Sequence, residues 1–265
     1  MILDFSQKYK SLNVEFSADA VRRSAQIVER IEDVNPHLPD GWPVGYEQEI
    51  YSRASQIAIS CGRAYDVSEI VPGMIYKRSK SADKIYARPS PELCLFKLWH
   101  HDGGECPALT RASIEYLAAR IGTEIRWREM YTTQFKSGHR IRFAAAAEID
   151  TALDRFVARF NEPVSIDDVM VRCAQLYMMF LLIHPFRDGN GFAARALLQL
   201  YLNHAVRLKS PIVTILPIYY NSLDLYQFGY LEWSINNRGD HFVRSLADSI
   251  ERLIDLYLIE FGIRA

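Results

Sequence analysis

The sequence predicts an all-helical fold interrupted by one short β-hairpin. Apolar residues recur at helical spacing through most of the chain, the stretch from Thr132 to Phe143 alternates instead, and 49% of residues are apolar, enough for a substantial core. A length of 265 residues fits one domain, or one domain with a smaller annex.

The elements follow in order. Ser17, Ala18 and Asp19 open a segment in which Val21, Ile27, Val28 and Ile31 alternate with arginines and glutamates, so 17–34 is an amphipathic helix ended by Pro36 and Pro39. A second helical segment runs over 46–63, and 77–91, rich in lysine, serine and proline, reads as a loop or a short strand pair. Residues 1–105 as a whole are expected to form a helical amino-terminal extension. Leu109, Ala112, Ile114, Leu117, Ala118 and Ile121 have helical spacing, with Gly122 as the stop signal. The hairpin of 132–143 turns at Ser137-Gly138, and a helix over 147–160 places Ile149, Leu153, Phe156, Val157 and Phe160 on one face.

The clearest helix is 165–183. Ser165 is a good N-cap, Asp167 and Asp168 suit the positive end of the dipole, and Ile166, Val169, Met170, Cys173, Leu176, Tyr177 and Phe180 form the expected buried stripe. Helical periodicity resumes over 192–206. Pro211 and Pro217 punctuate a connection to two last helices, 219–236 and 240–261.

Composition narrows the function. Lysine and arginine (31) balance aspartate and glutamate (32), which gives no basic excess for nucleic acid or an anionic membrane. Cys61, Cys94, Cys106 and Cys173 have neither zinc-site spacing nor a disulfide-framework pattern, as in a reducing compartment. Asp4 and Lys8 interrupt the apolar amino terminus, and the apolar run 176–183 stops at His184, so a cleaved leader and a membrane span are both unexpected. The expected location is the cytoplasm, or a host cell reached without a cleavable signal.

Residues 184–195 read His-Pro-Phe-Arg-Asp-Gly-Asn-Gly-Phe-Ala-Ala-Arg, between a helix that ends and a helix that begins. The glycines let the backbone curl, and the first-turn amides of the new helix have no intrahelical partners, which makes an anion site suited to phosphate. Arg195, one turn into that helix, can lean back toward its amino terminus and grip phosphate oxygens. Asp188 can hold Mg²⁺ together with phosphate and water, and His184 has the reference pKa of a general base near neutrality. A histidine at a helix end, a lone Gly-x-Gly or a helical arginine says little alone; the shared spacing carries the signal.

The segment resembles the signature of the Fic family, His-x-Phe-x-Asp/Glu-Gly-Asn-Gly/Lys-x-x-x-Arg, and the similarity extends from about Pro107 to the carboxy terminus, giving a Fic domain over 106–265. The resemblance implies a Fic-type helical bundle with a hairpin flap, and transfer of AMP from ATP, with magnesium, to a serine, threonine or tyrosine hydroxyl of a target protein. Carried onto this chain, it makes His184 the general base, Phe186 a buried anchor and Asp188 the magnesium ligand. Gly189, Asn190 and Gly191 become the α-phosphate cradle and Arg195 the distal phosphate clamp. Tyr219 and Asn237 are then the candidate base contacts, and an exposed strand edge at Ile141, Arg142 and Phe143 would pair with an extended target segment.

The pattern breaks where most active members carry an arginine after Gly-Asn-Gly. Here the residue is Phe192, and one cation fewer should weaken the grip on a triphosphate. Donors of UMP, phosphocholine or phosphate therefore stay open, as does an inactive protein-binding module. The inhibitory-helix pattern of many members is only partly matched, by Ser11 to Phe16 with Glu15 and by Leu256 to Phe261 with Glu260, and both glutamates read as solvated.

Overall fold

The computed structural model describes residues 2–10, 14–37, 108–126, 131–132, 140–207 and 228–260. The helix expected over 46–63 and the loop expected over 77–91 lie outside them, as does Tyr219. The described elements are β1 (Ile2–Asp4), α1 (Ala18–Val34), α2 (Arg111–Ile121), β2 (Tyr131–Thr132), β3 (Arg140–Arg142), α3 (Ile149–Asn161), α4 (Val169–Ile183), α5 (Asn190–Val206) and α6 (Asp240–Glu260). The predicted all-helical fold with a small hairpin is what the chain forms.

Helix α4 is the centre. Its two faces are both apolar, so it has no solvent side, and α1, α3, α5 and α6 all pack against it. Val169, Met170, Cys173, Leu176, Tyr177 and Phe180 are buried as the periodicity requires, while Ile166 is 40% exposed. Residues Ile166–Asp168 form a 3-10 turn, whose three-residue repeat does not carry the phase of the α-helix that follows, and Ser165 makes no side-chain cap bond.

Helix α1 belongs to the same core, through Ile27, Val28, Ile31 and Val34. Ser17 caps it by accepting from Ala20 N at 3.2 Å, and its own amide donates to Asp240 Oδ1 at 2.7 Å, which joins the start of α1 to the start of α6. Arg23 and Arg30 pair with Asp248, Glu251 and Asp255 along the outside of this contact. Such part-exposed pairs add little stability each, so the buried apolar stripe carries the packing.

Helix α2 starts in a capping box between Thr110 and Ser113 and stops at Gly122, which sits at φ 77°. The strands form one sheet in the order β1, β3, β2. The expected hairpin pairs β2 with β3 antiparallel, Tyr131 opposite Arg142 and Thr132 opposite Ile141. The third strand was not expected: β1 runs parallel to β3, with Ile2, Leu3 and Asp4 opposite Arg140, Ile141 and Arg142.

Candidate active site

Helix α4 ends at His184, whose amide donates to Phe180 O at 2.9 Å and whose backbone turns into the left-handed region at φ 52°. Few residues other than glycine sit there, so the conformation needs support from its surroundings. The imidazole Nδ1 lies 3.2 Å from Leu181 O. A carbonyl only accepts, so this contact assigns the proton to Nδ1 and leaves the lone pair on Nε2. The ring of Phe143 stacks on the imidazole at 3.7 Å. Burial pushes the His184 pKa down to about 3, with the Leu181 carbonyl opposing and the charge of Arg126 adding to the shift. His184 is therefore neutral, with a defined tautomer, across the physiological range.

The loop after His184 is held from the side by residues 123–126. Arg126 N donates to Pro185 O at 2.8 Å, Ile125 bridges to Phe186, and Arg187 N donates to Glu124 O at 3.1 Å. The Arg187 and Glu124 side chains pair at 2.7 Å, and Asp188 N donates to Thr123 Oγ1 at 3.3 Å. Phe186 is fully buried, with its ring 5.5 Å from that of Phe180, as its expected anchoring role requires. The buried Arg126 side chain reaches His184 O at 2.6 Å, Ile183 O at 3.0 Å and Ala144 O. Sequence reasoning missed Arg126, because nothing local to Ile125-Arg126-Trp127 distinguishes a buried arginine from a solvated one.

Gly189 turns the chain into α5 at φ 76°, and a Cβ there would stand 3.0 Å from Ile121 Cγ2, so both conformation and space call for glycine. The first intrahelical bond of α5 is Ala193 N to Gly189 O, and Gly189 supplies no side-chain cap. The amides of Asn190, Gly191 and Phe192 thus precede the helical ladder, as an anion cradle requires. The Asn190 side chain also ties the loop together. Its Oδ1 accepts from Phe186 N and its Nδ2 donates to Phe186 O, both at 2.8 Å, so it closes the loop.

Arg195 is 3% exposed and leans back as expected: its Nη1 would lie 3.4 Å from a Cβ on Gly191. Its guanidinium carbon stands 4.8 Å from the ring centre of Phe192, so the residue that departs from the family pattern stacks on the clamp. Asp188 is exposed, and its Oδ1 accepts from Gly189 N at 2.7 Å. Among the described residues no three His, Cys, Asp or Glu gather around a possible metal position. A single carboxylate beside an anion cradle suits magnesium that arrives with phosphate and water.

The flap corrects one expectation. The β3 edge expected to be exposed at Ile141, Arg142 and Phe143 is filled by β1: Phe5 N donates to Arg142 O at 2.9 Å, and Arg142 pairs with Asp4 at 3.5 Å. Ile141 and Phe143 are buried, at 1% and 3% exposure, because the strand faces the core and the base rather than solvent. Asn237 is the left-handed cap of the turn Glu232–Asn236; its carbonyl accepts from Glu15 N at 2.9 Å, and its Oδ1 from Lys8 Nζ at 3.4 Å. Glu15 is bridged through its backbone to Arg238, and Glu260 ends α6 with its side chain outside the described set.

His184, an uncapped glycine loop and the buried Arg195 lie in one stretch of chain, from the end of α4 into the start of α5. Residues 108–202 match the Fic/DOC family. This Fic/DOC segment contains His184, Asp188, Gly189, Asn190, Gly191, Arg195 and the flap strand, whereas Asn237 and Tyr219 lie beyond it. Among solved structures, the chain resembles Fic-1 (residues 134–508) from C. elegans, at 18% identity and a TM-score of 0.60, over 92% of this chain and 74% of that one. It also resembles a Fic family protein from Desulfovibrio desulfuricans G20, at 12% identity and a TM-score of 0.59, over 95% and 77%. A Fic domain containing signaling protein from Bacteroides thetaiotaomicron matches at 17% identity and a TM-score of 0.50, over 98% and 96%. These likenesses establish the Fic fold. Among curated proteins, none matches the chain.

Proposed function

We propose that this protein is a Fic-type nucleotidyltransferase that moves AMP from ATP to a serine, threonine or tyrosine hydroxyl of a target protein. The observation that carries the reading is His184, whose Nδ1 is committed to Leu181 O so that Nε2 is the proton-accepting atom, on the loop that leads into the uncapped start of α5. Nε2 takes the hydroxyl proton, the acceptor oxygen bonds to the α-phosphorus, and the bond to the pyrophosphate leaving group breaks. The amides of Asn190, Gly191 and Phe192 receive the α-phosphate oxygens, and Arg195 binds the distal phosphates. Asp188 would hold magnesium with those phosphates, and the ion would offset their charge. Asn237 and Tyr219 remain the candidate base contacts.

The acceptor segment would dock on the flap. With β1 on the β3 edge, that docking requires residues 2–5 to leave or the acceptor to pair elsewhere on the sheet. No helix among the described residues is long and apolar enough to cross a membrane. The proposed partners are a nucleotide and a protein, met in the cytoplasm or in a host cell.

Phe192 favours a second reading, in which the same fold uses a donor with fewer charges. Its ring lies on Arg195 where the family pattern has a further cation. Incubating the chain and its His184→Ala variant with α-labelled ATP, UTP and GTP and with labelled CDP-choline tests both. Labelling of protein from ATP that disappears in His184→Ala is expected. Labelling from another donor alone would replace AMP in the proposal, and equal labelling by both proteins, or none at all, would refute it.

A further inference from the structure

We infer that Arg126 is the positioning residue of His184, a single side chain that fixes the base to the flap. It is 4% exposed and binds carbonyls from two elements, Ile183 and His184 at the end of α4 and Ala144 just past β3. The inference rests on the reading of His184 as the base.

The geometry supports three steps. The last carbonyls of a helix have no partner within it and attract a cation, so the end of α4 is where a guanidinium is most useful. His184 itself is in the left-handed region, and the contact to its carbonyl is one of the shortest Arg126 makes, at 2.6 Å. The carbonyl of Ala144 belongs to the residue after Phe143, whose ring covers the imidazole. Arg126 thus fixes the backbone that carries the base and the backbone that carries the ring stacked on it.

Only a planar fork with several donors can hold these carbonyls together, since the single ammonium of lysine cannot reproduce their separation. A displacement of a reacting group by about 1 Å can cost roughly a hundredfold in rate. If Arg126 sets the place of Nε2, its loss should reduce kcat while donor binding, which depends on α5, persists.

The test uses the full chain, labelled with ¹³C and ¹⁵N at its seven histidines, His184 being assigned by comparison with His184→Gln. In the wild type, the ring ¹⁵N shifts should report a single tautomer protonated at Nδ1, and the ring protons should carry the shielding of a stacked Phe143. In Arg126→Met and Arg126→Lys, mixed tautomers and lost shielding are expected, with circular dichroism showing the helices retained. With the most active donor, kcat should fall about a hundredfold while donor KM changes by less than about threefold. Arg126→Lys keeps the charge and guards against a methionine variant that fails to fold. His184 signals unchanged in the lysine variant, or a loss confined to KM, would overturn the inference. A wild type inactive with every donor would refute the proposed function, while the nitrogen shifts would still decide the role of Arg126.

Discussion

The ring of Phe143 lies flat on the imidazole of His184, with centroids 3.7 Å apart and planes 9° from parallel. The contact makes the flap part of the base. Phe143→Ala should cost about 3 kcal/mol, as for other buried phenylalanines, and should disorder the His184 ring; Phe143→Leu should cost less. Urea unfolding measures the first effect and His184 proton shifts the second. An alanine variant with unchanged His184 shifts would mean that the stack does not hold the ring.

Acid sensitivity follows from the half-buried His184. Folding lowers the His184 pKa from the ordinary value of 6.5 to about 3, so between these values the unfolded chain binds a proton that the folded chain does not. Stability is then full above about pH 6.5 and is lost as pH falls toward 3, with a ceiling of roughly 2 kcal/mol between pH 6.5 and 5. Unfolding free energies at pH 7 and pH 5 should diverge for the wild type and much less for His184→Gln. Parallel behaviour of the two proteins would rule out His184 as the group responsible.

Gly189 faces two constraints at once, a φ of 76° and Ile121 Cγ2 at 3.0 Å from a Cβ position. Gly189→Ala should destabilise by about 1–2 kcal/mol through the backbone alone, with the clash in addition. In a double-mutant cycle, Ile121→Ala should relieve the clash and give a coupling of about 0.5 kcal/mol or more. Strict additivity would place the whole cost in the backbone.

Phe192→Arg should replace the ring over Arg195 with a cation and raise ATP affinity by about tenfold, the value of one charge-assisted hydrogen bond. Calorimetric titration with ATP and with CDP-choline reads the change. Equal gains for both ligands would show that position 192 does not select the donor.

What was legible in the sequence has a physical pattern. Of the described helices, α1 and α3 were, because each has a face set by local periodicity; Ile166 was misplaced because a 3-10 turn breaks the phase ahead of α4. The loop from His184 to Arg195 was, because its glycines, the buried Phe186 and the buried Arg195 lie within a few residues of one another. The bonds of Asn190 to the Phe186 backbone were not legible, since a backbone partner has no sequence signature. Arg126 stayed hidden because its carbonyl partner His184 is 58 residues away, and β1 because three residues of parallel pairing leave no pattern of their own.

The third strand sets an order of events during synthesis. Residues 2–4 pair with 140–142, and Ser17 is joined to Asp240 across 223 residues, so each of these segments waits for a partner made long after it. Closing loops of this length costs entropy before any contact compensates it. The helical hairpin of α4 and α5 forms from neighbouring segments, whereas β1 reaches β3 only by closing the whole stretch of chain between residues 4 and 140. The flap edge is therefore open until that long loop closes, which makes that interval the one in which a chaperone, or another copy of the flap, can reach it.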